Sequence, residues 1–240
     1  MTRARPTLSV VVPALDEERH VADAVRHVRR AIDDRFEDWE ILLFDDGSRD
    51  ATGRIMDELA AEDAHIRVVH NRRPRNVGGV YRQGIERARF DYVMMVPGDA
   101  ENPTEALVPV LQAIGRADVV LPFATNDADR GLGRFVLSRA YTALVNGLFG
   151  LRVPYYNGTA VMRTAAVREV ALTTDGFAFQ AELLVKLLRA GESWVGVGIR
   201  VDPRPGRKTK AFRPRNVASV LRAIASLFVE ERLGGTTGRR

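Results

Sequence analysis

The chain has 240 residues, enough to bury a sizeable core as one large domain or two small ones. It is 45% apolar and 28% charged, the balance of an ordinary globular protein, and it has no cysteine, which excludes a disulfide framework and any thiolate metal site. The net charge of +5 is unevenly spread: between Arg200 and Arg215 stand Arg204, Arg207, Lys208, Lys210 and Arg213 as well, with Asp202 the only acid. Such a cluster suits phosphates of a nucleic acid, an anionic lipid or a phosphorylated substrate, and a solvated basic loop equally.

Met1 to Pro6 leads directly into a strand, so no signal peptide is expected. No run approaches the roughly 18 apolar residues that span a bilayer. A reducing, cytoplasmic setting is the expectation.

Strand and helix signals alternate through the first half. Leu8 to Val12 reads as a strand covered on both faces. Val21, Ala24, Val25, Val28 and Ile32 stripe a helix. Trp39 to Phe44 is a second strand, and Ile55, Met56 and Leu59 mark a second helix starting near Ala51, with Ser48 and Asp50 as candidate caps. Ile66 to Val69 is a short strand, Asn76 to Arg89 a helix despite Gly78, Gly79 and Gly84, and Tyr92 to Val96 a strand broken by Pro97-Gly98. Thr104 is placed to cap a helix through Ile114, and Val119 to Pro122 is another strand.

In the second half, Leu137, Tyr141, Leu144, Val145 and Leu148 fall at helical spacing within Phe135 to Phe149. Asn157 to Met162 reads as a short strand. Phe179, Leu183, Leu184, Leu187 and Leu188 stripe a helix ended by Gly191, and Trp194 to Val201 is a strand. A last helix places Val217, Val220, Leu221, Ile224, Leu227 and Phe228 on one side. The order predicts an α/β fold, a doubly wound and mostly parallel sheet, followed by amphipathic C-terminal helices. The expected division is one domain over residues 1–215, then a helix and tail over 216–240.

No G-x-G-x-x-G follows the first strand and no G-x-x-x-x-G-K-[ST] occurs, which counts against a Rossmann dehydrogenase and a P-loop NTPase. The four histidines, His20, His27, His65 and His70, read as surface residues. Carboxylates instead gather after three strands: Asp16 and Glu17, Asp45 and Asp46, Asp99 and Glu101. In an open α/β sheet those strand ends line the ligand crevice. Carboxylates there accept hydrogen bonds from a ribose or a base, or bind a hard cation together with substrate phosphates. Capped, solvated turns are the plain alternative at each site taken alone.

These segments resemble family 2 glycosyltransferases. Leu8-Ser-Val-Val-Val-Pro-Ala-Leu-Asp-Glu-Glu18 is similar to the family's opening strand with P-x-x-N-E, and Asp45-Asp-Gly-Ser-Arg-Asp-Ala-Thr52 matches its D-D-G-S-x-D-x-T. Asn76-Val-Gly-Gly79 with Gly84 and Ala88 resembles its glycine-containing helix. Leu148-Phe-Gly150, Asn157-Gly158, Phe177 to Leu184 and Arg204 to Lys210 look like the polyprenyl-phosphate branch typified by dolichol-phosphate mannose synthase.

The resemblance implies a GT-A fold that binds a nucleotide-diphosphate sugar and a divalent cation, Mg²⁺ or Mn²⁺. Pro13, Ala14, Glu17 and one of Asp45 and Asp46 would hold the nucleoside. Gly98 and Asp99 would meet the diphosphate, with Asp99 and Glu101 at the metal. The chain reads Pro97-Gly98-Asp99-Ala100-Glu101 against the common D-A-D-x-Q, so Pro97 replaces the first Asp. Arg204 and the Lys208-Thr209-Lys210 segment would lie near the phosphates, and Arg130 and Arg134 add cations for the acceptor. Asp99, Glu101, Arg204 and Lys210 are therefore the candidate catalytic set.

An alcohol acceptor needs a general base, whereas a phosphate monoester, with its second pKa near 6, needs only cations. Glu182 is the candidate base; an i,i+4 pair with Lys186 is the preferred reading. The expected function is inverting, metal-dependent sugar transfer to a polyprenyl phosphate. Transfer to a soluble hydroxyl and a non-catalytic nucleotide-sugar-binding protein are the alternatives. A peripheral membrane contact, through Phe135 to Phe149 and Val217 to Arg232 or a membrane-anchored partner, would fit a lipid acceptor, although such stripes more often pack against a core. Nucleic acid is not an expected partner, because the basic loop lacks interleaved aromatics beyond Phe212.

Overall fold

A computed structural model describes residues 5–126, 132–201 and 214–233. In chain order the elements are β1 (Thr7–Ala14), α1 (Val21–Ile32), a 3₁₀ turn (Asp33–Arg35), β2 (Asp38–Asp45), α2 (Thr52–Glu62), β3 (Ile66–His70), α3 (Asn76–Arg87) and β4 (Tyr92–Met95). There follow α4 (Thr104–Gln112), β5 (Val119–Ala124), α5 (Leu132–Phe149), β6 (Val161–Arg163), α6 (Thr164–Arg168), α7 (Phe179–Arg189), β7 (Trp194–Ile199) and α8 (Pro214–Leu233).

The strands form one sheet in the order β3-β2-β1-β4-β6-β5-β7. Strand β6 runs antiparallel to β4 and β5, and the other neighbours are parallel. This is the doubly wound, mostly parallel α/β sheet that the alternation predicts. The chain builds outward from β1 through β2 to β3, then returns to place β4 on the other side of β1. The switch point therefore lies between β1 and β4, where open α/β sheets bind ligands.

Strand β1 is fully buried at Leu8, Val10, Val11 and Val12, as a strand covered on both faces must be. Alternation sends Val11, Leu42 and Phe44 into a core shared with α3, α5, α7 and α8. Val10, Val12, Ile41 and Leu43 enter the opposite core, under α1, α2 and α4. Gly84 permits close packing of α3, because a Cβ there would sit 2.5 Å from Val11 Cγ2.

At the end of the strands away from the switch crevice lies a buried ionic network. Glu40, 0% exposed, accepts hydrogen bonds from Ser9 Oγ (2.7 Å) and Arg89 N–H (2.7 Å) and is bridged by Arg67 and Arg89. Burial alone would raise its carboxyl pKa; the bonds from Ser9, Arg89 and Arg67 outweigh burial and lower it.

Several expectations shift. Thr104 is no cap: Pro103 holds that position, and the Thr104 hydroxyl donates to the His27 carbonyl at 3.1 Å. The strand expected from Asn157 begins only at Val161. Gly158 is pressed against Pro122, whose carbonyl would lie 2.7 Å from a Cβ, so this stretch turns instead of pairing. Helix α6 is too short to show a period in sequence. Helix α8 buries Ile224 and Leu227 and pairs Glu230 with Lys186 (3.0 Å) and Glu231 with Arg189 (2.6 Å) on α7. The α5 stripe divides: Val145 and Phe149 face the core, while Leu137 and Leu144 are exposed.

Candidate active site

The strand ends at the switch point are knitted together by backbone bonds. Gly98 N–H donates to the Pro13 carbonyl at 2.9 Å, Asp46 N–H to Ala14 at 2.9 Å, and Asn71 N–H to Asp45 at 2.8 Å. A Cβ on Gly98 would lie 2.9 Å from that of Ala14, so only glycine lets the β4 loop close on β1. Pro13, Ala14 and Gly98 thus lie side by side at the switch point.

The two most specific sequence motifs turn out to brace each other. Asp16 N–H donates to Ser48 Oγ (3.1 Å), and Arg49 N–H to Asp16 Oδ1 (2.9 Å). Glu17 N–H donates to Thr52 Oγ1 (2.8 Å), Glu18 N–H to Asp50 Oδ2 (3.2 Å), and Ala51 N–H to Glu18 Oε2 (3.0 Å). Asp16 sits at φ +57°, a left-handed conformation that Asn and Asp tolerate best, which explains the residue type before Glu17. Asp50 also accepts Thr52 N–H at 2.9 Å, so it supports the start of α2; Ser48 instead serves the neighbouring loop. The Glu17 carboxylate is largely buried and meets His20 Nδ1 at 3.0 Å.

Geometry divides the Asp45–Asp46 pair. Asp46 is 4% exposed and accepts from Asn71 Nδ2 (2.9 Å), from Arg75 N–H at both oxygens (2.9 and 3.1 Å) and from Asn76 N–H (3.1 Å). It therefore anchors the entry to α3, where Asn76 adopts φ +60°. Asp45 accepts Ser48 N–H at 2.9 Å through Oδ1 and meets His70 Nδ1 at 3.1 Å through Oδ2. Burial would raise the Asp45 carboxyl; the bonds from Ser48 and His70 outweigh it and keep the group below the usual carboxylate range. A carboxylate has about four acceptor sites, so Asp45 retains capacity toward a ligand that Asp46 has used.

After β4, Asp99 Oδ1 accepts Glu101 N–H at 3.0 Å across a tight turn. The intervening Ala100 is buried at φ +55°, a conformation costing about 1–2 kcal/mol for an L-residue, and such strain gathers at functional turns. Among the described residues no group of three or more His, Cys, Asp or Glu is arranged to hold a metal. Two hard oxygen donors in one turn fit a cation that takes one or two carboxylates and fills its shell with phosphate and water; they do not form a closed protein cage.

Glu182 is 3% exposed and held by four donors: Oε1 accepts Thr173 N–H (2.9 Å), Thr173 Oγ1–H (2.8 Å) and Lys186 Nζ (2.9 Å), and Oε2 accepts Thr174 N–H (2.8 Å). The pair with Lys186 is thus real, and the carboxylate ties the Thr173–Thr174 segment to α7. Arg130, Arg204, Lys208, Thr209 and Lys210, and the side chain of Arg134, lie outside the described residues.

His70, read from sequence as a surface residue, is half-exposed yet engaged, and Asn71 is not singled out by sequence. His70 and the buried Asn71 stand at the end of β3, beside the Asp45–Asp46 turn; Asn71 Nδ2 also reaches Gln83 at 3.1 Å. The signal was present, since a polar pair closing an apolar strand is what singled out Asp45 and Asp46.

Comparison with known proteins follows the same lines. The undecaprenyl-phosphate 4-deoxy-4-formamido-L-arabinose transferase of Pseudomonas fluorescens is 28% identical over 194 residues, 74% of this chain and 56% of that protein. The undecaprenyl-phosphate mannosyltransferase of Micrococcus luteus is 25% identical over 201 residues, 79% of this chain and 81% of that protein. The chain spans about half the length of the Pseudomonas relatives. The crystal structure of glucosyl-3-phosphoglycerate synthase from Mycobacterium tuberculosis with Mn²⁺, UDP and phosphoglyceric acid aligns with TM-score 0.69 at 17% identity, covering 94% of this chain and 78% of that one. It shares the GT-A fold with this chain. The family described as glycosyl transferase family 2 matches residues 9–173, more than half of the sequence, and the chain belongs to that family.

Proposed function

We propose that the chain transfers a sugar, with inversion, from a nucleotide-diphosphate sugar to a polyprenyl phosphate. Asp45, with Pro13, Ala14 and Glu17, receives the nucleoside; Asp46 keeps the adjoining loop and α3 in place. Gly98 brings the β4 turn against β1, so that Asp99 and Glu101 face the diphosphate. A bound Mg²⁺ or Mn²⁺ at these two carboxylates would neutralise charge developing on the leaving diphosphate. Arg204, Lys208, Thr209 and Lys210, joined by Arg130 and Arg134, are assigned to the acceptor phosphate.

The observation that carries the choice of acceptor is the burial and internal pairing of Glu182. Its carboxylate is 3% exposed and is held by four donors of the protein itself, three at Oε1 and one at Oε2, so it is a structural group that is not presented to a substrate hydroxyl. A phosphate acceptor, already ionised, requires no such base. The names of the Pseudomonas and Micrococcus relatives support the same acceptor class. Release of nucleoside diphosphate by the purified protein should depend on added undecaprenyl phosphate and fall to background in lipid-free controls. Equal turnover with soluble hydroxyl acceptors and none with the lipid phosphate would establish the hydroxyl reading instead.

A lipid acceptor requires access to a membrane. Among the described residues no helix is long and apolar enough to cross one. Helix α5 nevertheless exposes Val136 (56%), Leu137 (43%) and Leu144 (42%), with Arg139 the one charged residue among its described exposed side chains. Leu221 and Val229 of α8 are also exposed, on a helix that packs against α5. We assign this face to peripheral contact with an anionic bilayer. Replacing both Leu137 and Leu144 by Asp should weaken co-sedimentation with phosphatidylglycerol vesicles at least tenfold, without loss of turnover on detergent-dispersed acceptor. Unchanged sedimentation would remove the assignment.

A further inference from the structure

The His70 ring is held between two carboxylates. Strand β3 is the outer strand of the sheet, and its register sets His70 opposite Asp45. Nδ1 lies 3.1 Å from Asp45 Oδ2, and Nε2 lies 3.0 Å from Asp57 Oδ1 on α2. A neutral imidazole has one N–H, so between two acceptors it turns a lone pair toward a carboxylate oxygen. The imidazolium donates at both nitrogens and satisfies both contacts. Gly53 of α2 keeps the arrangement tight: a Cβ there would meet Asp45 Oδ2 at 2.8 Å and His70 Cε1 at 3.3 Å.

Resting on the reading of Asp45 as the nucleoside-binding carboxylate, we propose that His70 is a positioning residue. As an imidazolium bridging Asp45 and Asp57, it fixes Asp45 for the nucleoside and thereby sets an alkaline limit on donor binding.

Among the described residues the charged groups facing the ring are Asp45 from β2 and Asp57 from α2; Arg67, on His70's own strand, is engaged with Glu40 at the other end of the sheet. The bonds to Asp45 and then Asp57 raise the proton affinity of the ring above the ordinary imidazole value, against the smaller effect of burial. As pH rises through this raised value, one nitrogen loses its proton to solvent. A lone pair then faces a carboxylate at about 3 Å and the bridge opens: the ring is no longer tied to both acids, and among the described residues Ser48 is the one donor to Asp45 that does not depend on the imidazole tautomer. A folded-state proton affinity above the unfolded one also means that the bridge stabilises the fold at lower pH and ceases to do so above the raised value.

Calorimetric titration with UDP and with GDP between pH 7 and 9, where the diphosphate is about nine-tenths or more ionised and the base N–H groups stay largely protonated, tests this. The wild-type dissociation constant should rise roughly tenfold across the range. His70→Asn places an uncharged amide donor near Asp45 and should give a flat profile; Asp57→Asn should shift the rise to lower pH. Long-range ¹H–¹⁵N correlation should show both His70 nitrogens protonated at pH 7, and thermal melts should show each variant folded. A neutral His70 ring at pH 7, or a His70→Asn variant with the wild-type alkaline rise, overturns the proposal. Asp45→Asn separates the two levels. If it binds both nucleotides as wild type does, the nucleoside assignment fails and the proposal with it; if it loses binding while His70→Asn keeps the wild-type profile, Asp45 stands and His70 alone is excluded.

Discussion

Replacing Asp99 by alanine is expected to lower turnover by about 10²–10³-fold while leaving the protein folded. Asp99 is the part-buried carboxylate of the β4 turn, and Pro97 occupies the position where the family motif carries another acid. A cation that binds through one or two carboxylates has little with which to replace it. Removing one well-placed group that stabilises transition-state charge typically costs this much. The fold should survive, because the Asp99–Glu101 bond closes a surface turn and one such bond contributes only about 0.5–1.5 kcal/mol. Asp99→Asn provides the sharper comparison: the amide oxygen can still accept Glu101 N–H, so the turn is kept while the charge is lost. Steady-state kinetics across a Mn²⁺ series, with melting curves beside them, should show both variants equally impaired at low metal and the asparagine variant partly restored at high metal. Near-native turnover by folded Asp99→Ala would remove the cation from this turn.

Glu40→Ala is expected to have the largest effect on stability, about 3–5 kcal/mol. The substitution leaves the buried Ser9 hydroxyl and the Arg89 N–H without their acceptor and separates two guanidinium groups from their shared carboxylate. For a chain of this size each kcal/mol corresponds to roughly 2–4 °C, so the thermal midpoint should fall by about 6–20 °C. The pH dependence follows from the lowered pKa of Glu40. A carboxyl depressed in the folded state stabilises fully above its unfolded value, and that contribution disappears as pH falls through the folded one. The deficit of Glu40→Ala relative to wild type should therefore be full near neutrality and shrink in acid below the usual carboxylate range. A constant deficit down to pH 2 would show that lost packing, not the ionised carboxylate, carries the effect. Turnover per folded molecule should be nearly unchanged, because Glu40 lies at the far end of the strands from the switch crevice.

The two predictions separate residues that composition treats alike. Glu40 and Asp99 are both acids near strands, yet one is buried within the sheet and the other sits in the turn that follows β4. Asp46 and Asp45 are closer still, adjacent in sequence and identical in type. The partners that distinguish them, Asn71, Arg75 and Asn76 for one and His70 for the other, come from the end of β3 and the entry to α3. No local pattern around Asp45 and Asp46 encodes which oxygen those donors will reach. His70 reads from sequence as no more than a surface histidine for the same reason: its partners Asp45 and Asp57 are distant in sequence.

The sequence alone determined the alternation of strands and helices, the doubly wound sheet, and the gathering of carboxylates after three strands. Hydrophobic periodicity and turn chemistry are local, and they oblige any fold of this class to bring those strand ends to one side. The motifs that identify the family are local as well. Tertiary structure alone decided how the carboxylates share the work. It consumed Ser48, Asp50 and Thr52 in bracing the loop that carries Glu17, spent Asp46 on α3 and Glu182 on the segment before α7, and turned Leu137 and Leu144 outward. Hydrogen-bond saturation and burial depend on donors and surfaces from distant segments, and those meet only when the chain has closed around the switch point between β1 and β4.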